Sequence, residues 1–170
     1  PSAILVNLAK GFGNHNQVIA EHLMELLPNR VCSMKGPAFA RDMIGGSPTG
    51  FTLATGDTEL WSMFGEMCSG TSICLDYTHD VRGVEILSIL KNIYAIILGI
   101  VDAHYNSANL RFLLLTRAFN EMRQVLMFFG GEQETLFRFC GYGDFSLTAL
   151  NDLSRNRTLG LLIGKGFFTE

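Results

Sequence analysis

The chain has 170 residues, of which 48% are hydrophobic and only 17% are charged, whereas an average domain carries ~25% charged residues. Its 13 basic and 16 acidic residues give a net charge of −3 without any basic run. This balance excludes a disordered tail and a solvated coiled coil, and we expect no nucleic-acid partner. The apolar excess indicates a chain that buries more surface than its own length can cover.

Strands and helices alternate in the predicted elements of the first 78 residues. Apolar runs bounded by glycine or proline turns predict strands, and apolar residues three and four apart predict helices. The predicted strands are Ile4–Ala9, Val31–Met34, Thr49–Thr55 and Ser72–Tyr77, and the predicted helices are Asn16–Leu27 and Asp57–Cys68, the latter with Asp57 or Thr58 as its N-cap. The alternation predicts an α/β fold.

Only helices are predicted beyond His79, so we expect an α/β part followed by an all-α part. The predicted helices are Val84–Val101, Asn109–Phe129 and Ser154–Gly164. The first is nearly as long as a membrane span of ~20 residues, but it contains Glu85 and Lys91. We therefore expect a buried central helix and no membrane insertion. No Pro/Ser-rich linker separates the two parts, which predicts that they pack tightly.

Lys91 is the most informative position, because apolar residues occupy every face of the predicted helix around it. Burial disfavours the ammonium form and lowers a lysine pKa by up to ~3 to 5 units. A pKa in that range suits general acid–base catalysis. Two ordinary alternatives stay open: Lys91 reaches water at the edge of a domain, or it pairs with a buried carboxylate such as Glu85.

Two segments near the end of the chain could carry a binding site. Residues 141–148 place Asp144 in a glycine turn, and Ser154 is a good N-cap for the last helix, beside Arg155 and Asn156. A helix start presents free N–H groups and the positive end of the helix dipole, so it can bind a phosphate or a carboxylate. The alternative is an ordinary capped helix with solvated arginines.

The remaining signals are weaker. Lys10 directly follows the first strand, where open α/β sheets place ligand-binding residues, although a surface lysine is the common explanation. No glycine cluster completes GxGxxG, so the chain holds no dinucleotide fingerprint. The four cysteines form no CxxC pair, and the histidines share no ligand spacing, so we expect neither a metal site nor a disulfide framework. Reduced, mostly buried thiols predict a cytoplasmic protein.

Seven short motifs follow one another along nearly the whole chain. They are Lys10-Gly11, Gly36-Pro37-Ala38-Phe39-Ala40, Leu90-Lys91-Asn92-Ile93-Tyr94-Ala95-Ile96, Ser107-Ala108-Asn109, Thr116-Arg117 with Glu121-Met122, Gly143-Asp144, and Ser154-Arg155-Asn156-Arg157. In this order and spacing the chain resembles the NAD(P)-dependent glycerol-3-phosphate dehydrogenase family. The resemblance implies that residues 1–78 are the C-terminal half of a Rossmann-like dinucleotide-binding domain. Residues 79–170 would be the N-terminal part of a helical, bundle-like substrate and dimerisation domain.

The resemblance also implies an activity and roles for individual residues. The family interconverts glycerol 3-phosphate and dihydroxyacetone phosphate with NAD(H) or NADP(H), and Lys91 resembles its proton acceptor for the C2 hydroxyl. Asp144 and Thr148 resemble the residues that orient this lysine and the substrate hydroxyls. The implied substrate-binding residues are Lys10, Gly36, Ala38, Asn92, Asp144, Thr148, Ser154, Arg155 and Asn156, and the implied cofactor-binding residues are Lys10, Ala40 and Arg155. The expected partners are a small phosphorylated substrate and a second copy in a homodimer. No metal is implied.

The chain also departs from the family pattern. Lys35 stands before the Gly-Pro pair where the family usually has serine, Ala38 stands where it has serine or threonine, and residues 104–107 replace a glycine-rich turn. The GxGxxG loop of the family would lie before Pro1, and its further helices would lie after Glu170. We therefore expect a fragment of a longer enzyme, inactive by itself. The choice between NAD and NADP stays open.

Two alternative functions stay open as well. Lys35 and Ala38 could mark a related dehydrogenase for another hydroxy acid or phosphorylated alcohol. The chain could also be a non-catalytic relative kept as a structural or dimerisation module. Packing alone would not require the joint presence of Lys10, Lys91, Asp144 and Arg155, which favours an enzyme.

Overall fold

The computed structural model describes residues 2–13 and 17–167. Its α/β part consists of the strands β1 (Ile4–Asn7), β2 (Arg30–Lys35), β3 (Thr49–Ala54) and β4 (Ile73–Thr78), and the helices α1 (Ile19–Leu26), α2 (Ala40–Ile44) and α3 (Thr58–Cys68). The four predicted strands and α3 with its Asp57 cap are confirmed. The predicted start of α1 at Asn16 lies outside the described residues. The short α2 was not predicted, because five residues between proline and glycine turns show no periodicity.

The four strands form one mixed sheet in the order β1-β2-β3-β4. β1 and β2 are parallel, as are β3 and β4, whereas β2 and β3 are antiparallel with Met34 opposite Leu53. The carboxyl ends of β1 and β2 therefore lie at one edge of the sheet. The segments that carry Lys10 and Ala38 leave the sheet at this edge, where open α/β sheets place their ligands.

The second part of the chain is helical, which confirms the predicted α/β part followed by an all-α part. Its elements are α4 (Val81–His104), α5 (Ala108–Phe128), a 3₁₀ turn (Gln133–Phe137), a π-helical turn (Phe139–Gly143), α6 (Asp144–Leu150) and α7 (Arg155–Gly164). The predicted last helix begins directly after its Ser154 cap, whose Oγ accepts a hydrogen bond from the Arg157 N–H at 3.3 Å.

Helix α4 is the centre of the fold and packs against β2, α5, α6 and α7. Its N-cap, Asp80, accepts hydrogen bonds from the Gly83 N–H at 2.7 Å, the Glu132 N–H at 2.8 Å and the Thr135 hydroxyl at 2.6 Å. In the described part of the chain, α4 is the one helix long and apolar enough to span a membrane, and half of its most apolar stretch is buried inside the fold. This burial fits the predicted central core helix.

Glycines allow α7 to cross α4 at very short range. A Cβ atom on Gly99 would lie 2.2 Å from the Arg157 carbonyl oxygen, and one on Gly160 would lie 2.1 Å from the Ile96 carbonyl oxygen. Next to this crossing, Asp102 of α4 accepts a hydrogen bond from Arg157 Nη2 at 2.7 Å. Together these contacts hold the first two turns of α7 against the C-terminal third of α4.

The predicted glycine turn over residues 141–148 is wrong. The π-helical turn continues directly into α6, so Asp144 is the first residue of a helix and is 2% exposed. Gly141 serves close packing instead of a loop conformation, because a Cβ atom there would lie 2.2 Å from the Leu136 carbonyl oxygen. The wide turn aims Asp144 inward at α4.

Candidate functional site

A cleft of about 680 Å³ opens at the edge of the sheet where β1 and β2 end, and helices α4, α6 and α7 form its other walls. Nine of the eleven site residues predicted from the sequence line it. They are Lys10, Ala38, Lys91, Asn92, Asp144, Thr148, Ser154, Arg155 and Asn156. Residues far apart in the chain thus meet at one concave surface, as a ligand site requires.

Lys91 projects from the middle of α4 into the wall of this cleft and is 5% exposed. Its Nζ lies 2.5 Å from Asp144 Oδ1 and donates a hydrogen bond to Thr148 Oγ1 at 2.9 Å. The Thr148 hydroxyl in turn donates to the Asp144 carbonyl oxygen at 2.7 Å. An ammonium has three N–H groups, so these two partners fix the Lys91 amine and leave its third N–H for a ligand in the cleft.

One of the two ordinary explanations of Lys91 is wrong, because its side chain does not extend to the surface. The other is correct in kind: Lys91 pairs with a buried carboxylate, which is Asp144 and not Glu85. Glu85 accepts hydrogen bonds from Asn7 Nδ2 and from the Ala20 N–H instead. Sequence periodicity could not distinguish the two carboxylates, because Asp144 approaches from another helix.

Burial lowers the pKa of Lys91 to about 8. The adjacent Asp144 carboxylate opposes this change by stabilising the ammonium form, whereas the positive charge of Lys10 adds to it. The amine is therefore a group that can hold or release a proton close to neutral pH.

Asp144 bridges two lysines from opposite walls of the cleft. Lys10 Nζ lies 3.2 Å from Asp144 Oδ2, while Oδ1 faces Lys91. The Lys10 side chain is 32% exposed, in contrast to Asp144 at 3%. One buried carboxylate thus orients both amines, and Lys10 keeps access to the open part of the cleft.

The first turn of α7 supplies the remaining polar wall. Asn156 Nδ2 donates a hydrogen bond to Asn92 Oδ1 at 2.7 Å, which joins α7 to α4 one residue after Lys91. Arg155 is exposed and takes part in none of the ion pairs found among residues 2–13 and 17–167. Its guanidinium and the uncapped N–H groups of the helix start form a place for an anion.

Two of the predicted site residues lie outside the cleft, and one ion pair beside it was not predicted. Gly36 is buried and Ala40 is exposed at the start of α2, and neither lines the cleft, so their roles stay predictions. Sequence reasoning missed Asp102 and Arg157, which hold α7 in place. The one available signal was the acidic residue inside an apolar helix, since Asp102 stands near the end of α4.

Cysteines and metal ligands add nothing to the cleft. The prediction of mostly buried thiols holds for Cys32 and Cys140, but Cys68 is half-buried and Cys74 is exposed on the outer strand β4. All four are free. In the described ranges no group of three or more His, Cys, Asp or Glu side chains is arranged to hold a metal ion.

The structure joins an α/β sheet to a helical layer, and the cleft between them holds a buried lysine–carboxylate pair beside a cationic helix start. The sequence model for the C-terminus of NAD-dependent glycerol-3-phosphate dehydrogenase matches residues 80–170. The chain therefore belongs to the NAD-dependent glycerol-3-phosphate dehydrogenase family.

Three similar proteins carry the same description. The glycerol-3-phosphate dehydrogenase [NAD(P)+] of Methanothermobacter thermautotrophicus is 43% identical over 79% of this chain and 41% of its own length. That of Thiobacillus denitrificans is 40% identical over 94% of this chain and 49% of its own length. The crystal structure of glycerol-3-phosphate dehydrogenase from Coxiella burnetii superimposes with a TM-score of 0.87 at 33% identity and covers 92% of this chain and 49% of that one. The chain spans about half the length of the curated relatives it matches.

Proposed function

We propose that the protein carrying this sequence is an NAD(P)-dependent oxidoreductase that interconverts sn-glycerol 3-phosphate and dihydroxyacetone phosphate. The observation that carries the proposal is the Lys91–Asp144–Lys10 cluster, in which one buried carboxylate orients two amines at the wall of the cleft. A structural ion pair would need one lysine, and the second leaves a cation facing the ligand space. The similar proteins support the same reaction by their names.

Lys91 is the group that moves the proton. In the oxidation of the alcohol, its neutral amine accepts the proton of the C2 hydroxyl, and in the reduction of the ketone, its ammonium returns that proton. The Asp144 carboxylate and the Thr148 hydroxyl hold the amine in place during both directions. Because burial lowers the pKa of Lys91 to about 8, both protonation states are accessible near neutral pH.

The anionic groups of the substrate and of the cofactor fit the cationic side of the cleft. Lys10 and Arg155 are exposed and line it, and the helix start after Ser154 provides backbone N–H donors. We assign the substrate phosphate to Arg155, Asn156 and this helix start, since planar guanidinium groups and helix starts both suit phosphate oxygens. Lys10 would hold substrate and cofactor together, and the bound NAD(P)⁺ supplies the hydride acceptor.

A second substrate class deserves a direct test, because Ala38 lines the cleft without a side-chain donor. The full-length protein should be assayed by the absorbance of NADH or NADPH with dihydroxyacetone phosphate, dihydroxyacetone and a 2-keto acid. We expect dihydroxyacetone phosphate to be preferred by roughly 10- to 100-fold in kcat/KM, which corresponds to ~1.5–3 kcal/mol for a charge-assisted contact with the phosphate. A preference for a substrate without phosphate would overturn the assignment, and the same assay decides between the two cofactors.

Assembly and location are part of the proposal. We propose a homodimer that forms through the helical part, supported by exposed apolar side chains on α5 such as Phe112, Leu113 and Phe128. The four free cysteines support a reducing, cytoplasmic location. Sedimentation of the full-length protein as a monomer at micromolar concentration would contradict the dimer.

A further inference from the structure

A buried ionic network lies beneath the cleft and includes none of the residues assigned above. Lys35 is the last residue of β2 and is 2% exposed, and Glu85 on α4 is 1% exposed. Lys35 Nζ lies 3.8 Å from Glu85 Oε1. The Glu85 carboxylate also accepts hydrogen bonds from Asn7 Nδ2 and, at 3.1 Å, from the Ala20 N–H. A buried charge without a partner is costly, so Lys35 and Glu85 stabilise each other's charged form.

The network connects directly to the strand end that carries Lys10. Lys35 Nζ donates a hydrogen bond to the carbonyl oxygen of Asn7, the last residue of β1, at 2.7 Å. The Asn7 side-chain oxygen accepts a hydrogen bond from the Ala9 N–H at 3.0 Å, which turns the chain at the end of the strand. Lys10 follows at once and reaches Asp144 at 3.2 Å. The Lys35 amine is therefore hydrogen-bonded to the backbone at Asn7, three residues before Lys10, which enters the cleft.

The charges around Lys35 agree with this arrangement. Burial lowers the pKa of Lys35 to about 8, and the Glu85 carboxylate opposes this change by favouring the ammonium. Asp144 also favours the ammonium, whereas Lys10 disfavours it. Lys35 thus interacts electrostatically with both Lys10 and Asp144, although it forms no direct contact with either.

We infer that Lys35 is a positioning residue for Lys10: its amine holds the carboxyl end of β1 and so keeps Lys10 against Asp144. The kinetic consequence of this inference rests on the proposed function, but the placement of Lys10 does not. A purely structural Lys35 would lower stability when replaced and leave Lys10 in the folded protein unchanged.

The placement is tested by amine reactivity in the full-length protein. Wild type, Lys35→Met and the neutral pair variant Lys35→Met/Glu85→Gln are treated with a limiting amount of an acylating reagent, and modification of Lys10 is measured by mass spectrometry relative to the exposed Lys165. We expect Lys10 to react several-fold faster in both variants, because it is no longer held by Asp144. The double variant removes both buried charges, so it keeps the fold if the single variant loses it. Unchanged relative reactivity of Lys10 in the folded double variant would overturn the inference.

The consequence for turnover is tested by a double-mutant cycle with Lys10→Met. A displacement of ~1 Å can cost ~100-fold in rate, so we expect Lys35→Met to lower kcat/KM by roughly tenfold or more. In the Lys10→Met background the same substitution should cost nothing further, since the residue that it positions is already absent. If the losses in kcat/KM from Lys35→Met and Lys10→Met instead multiply in the double variant, positioning through Lys10 is refuted. A wild-type protein without dehydrogenase activity would refute the proposed function alone, because Lys10 reactivity would still decide the role of Lys35.

Discussion

The pH dependence of turnover should follow the protonation of Lys91. Burial lowers the pKa of this amine from 10.5 to about 8. With that pKa, roughly 10% of the molecules carry a neutral Lys91 at pH 7 and roughly 90% at pH 9. Oxidation of the alcohol needs the neutral amine, so its kcat/KM should rise about tenfold across this interval. Reduction of the ketone needs the ammonium, so its kcat/KM should fall by a similar factor.

Initial rates in both directions at constant ionic strength measure this dependence. Asp144→Asn is the informative variant, because the Asp144 carboxylate raises the pKa of Lys91 against the effect of burial. Its residual oxidation activity should therefore reach the plateau at lower pH than that of wild type. Opposite slopes for the two directions support the assignment. Profiles that are flat from pH 7 to 9, or that move to higher pH in Asp144→Asn, would refute the reasoning.

Three substitutions test the packing and the anion site. Gly160→Ala should destabilise the protein by about 1–3 kcal/mol in urea unfolding, because its Cβ would lie 2.1 Å from the Ile96 carbonyl oxygen. The control Gly56→Ala, which has open space around its Cβ position, should not change the stability. Equal effects of the two substitutions would contradict the close crossing of α4 and α7. Asp80→Ala should cost about 2–5 kcal/mol in the same assay, because three donors lose their acceptor, and a loss below 1 kcal/mol would show that water replaces it. Arg155→Met should raise KM for dihydroxyacetone phosphate at least ~tenfold. Its effect on the weak reaction of dihydroxyacetone, which reports any contact with the cofactor alone, should be much smaller. Equal losses on both ketones would contradict a phosphate contact.

Local patterns predicted most of the elements of this fold. Apolar runs and helical spacing located four strands and the long helices, because each depends on residues close together in sequence. The wide turn before α6 was missed, since Gly141 is explained by the Leu136 carbonyl oxygen that packs against it and not by a loop conformation. The antiparallel pairing of β2 with β3 was equally invisible, because periodicity does not specify strand direction.

The site was predictable in part. The apolar surroundings of Lys91 indicated a buried amine, and the resemblance of short motifs indicated the residues that line the cleft with it. The resemblance implied that Asp144 and Thr148 orient this lysine, and both contact its Nζ. Residue spacing alone could not pair them, because Asp144 stands 53 positions from Lys91. The same holds for Lys35 and Glu85, whose side chains meet only because β2 packs on α4.

The most direct test of the central claim is the turnover of Lys91→Ala in the full-length protein. We predict that kcat with dihydroxyacetone phosphate falls by at least ~100-fold, the lower end of the contribution of a general acid–base group. Substrate binding, measured by calorimetry, should persist because the helix start of α7 is intact, and Lys165→Ala should behave as wild type. Normal turnover by a folded Lys91→Ala protein would contradict the account.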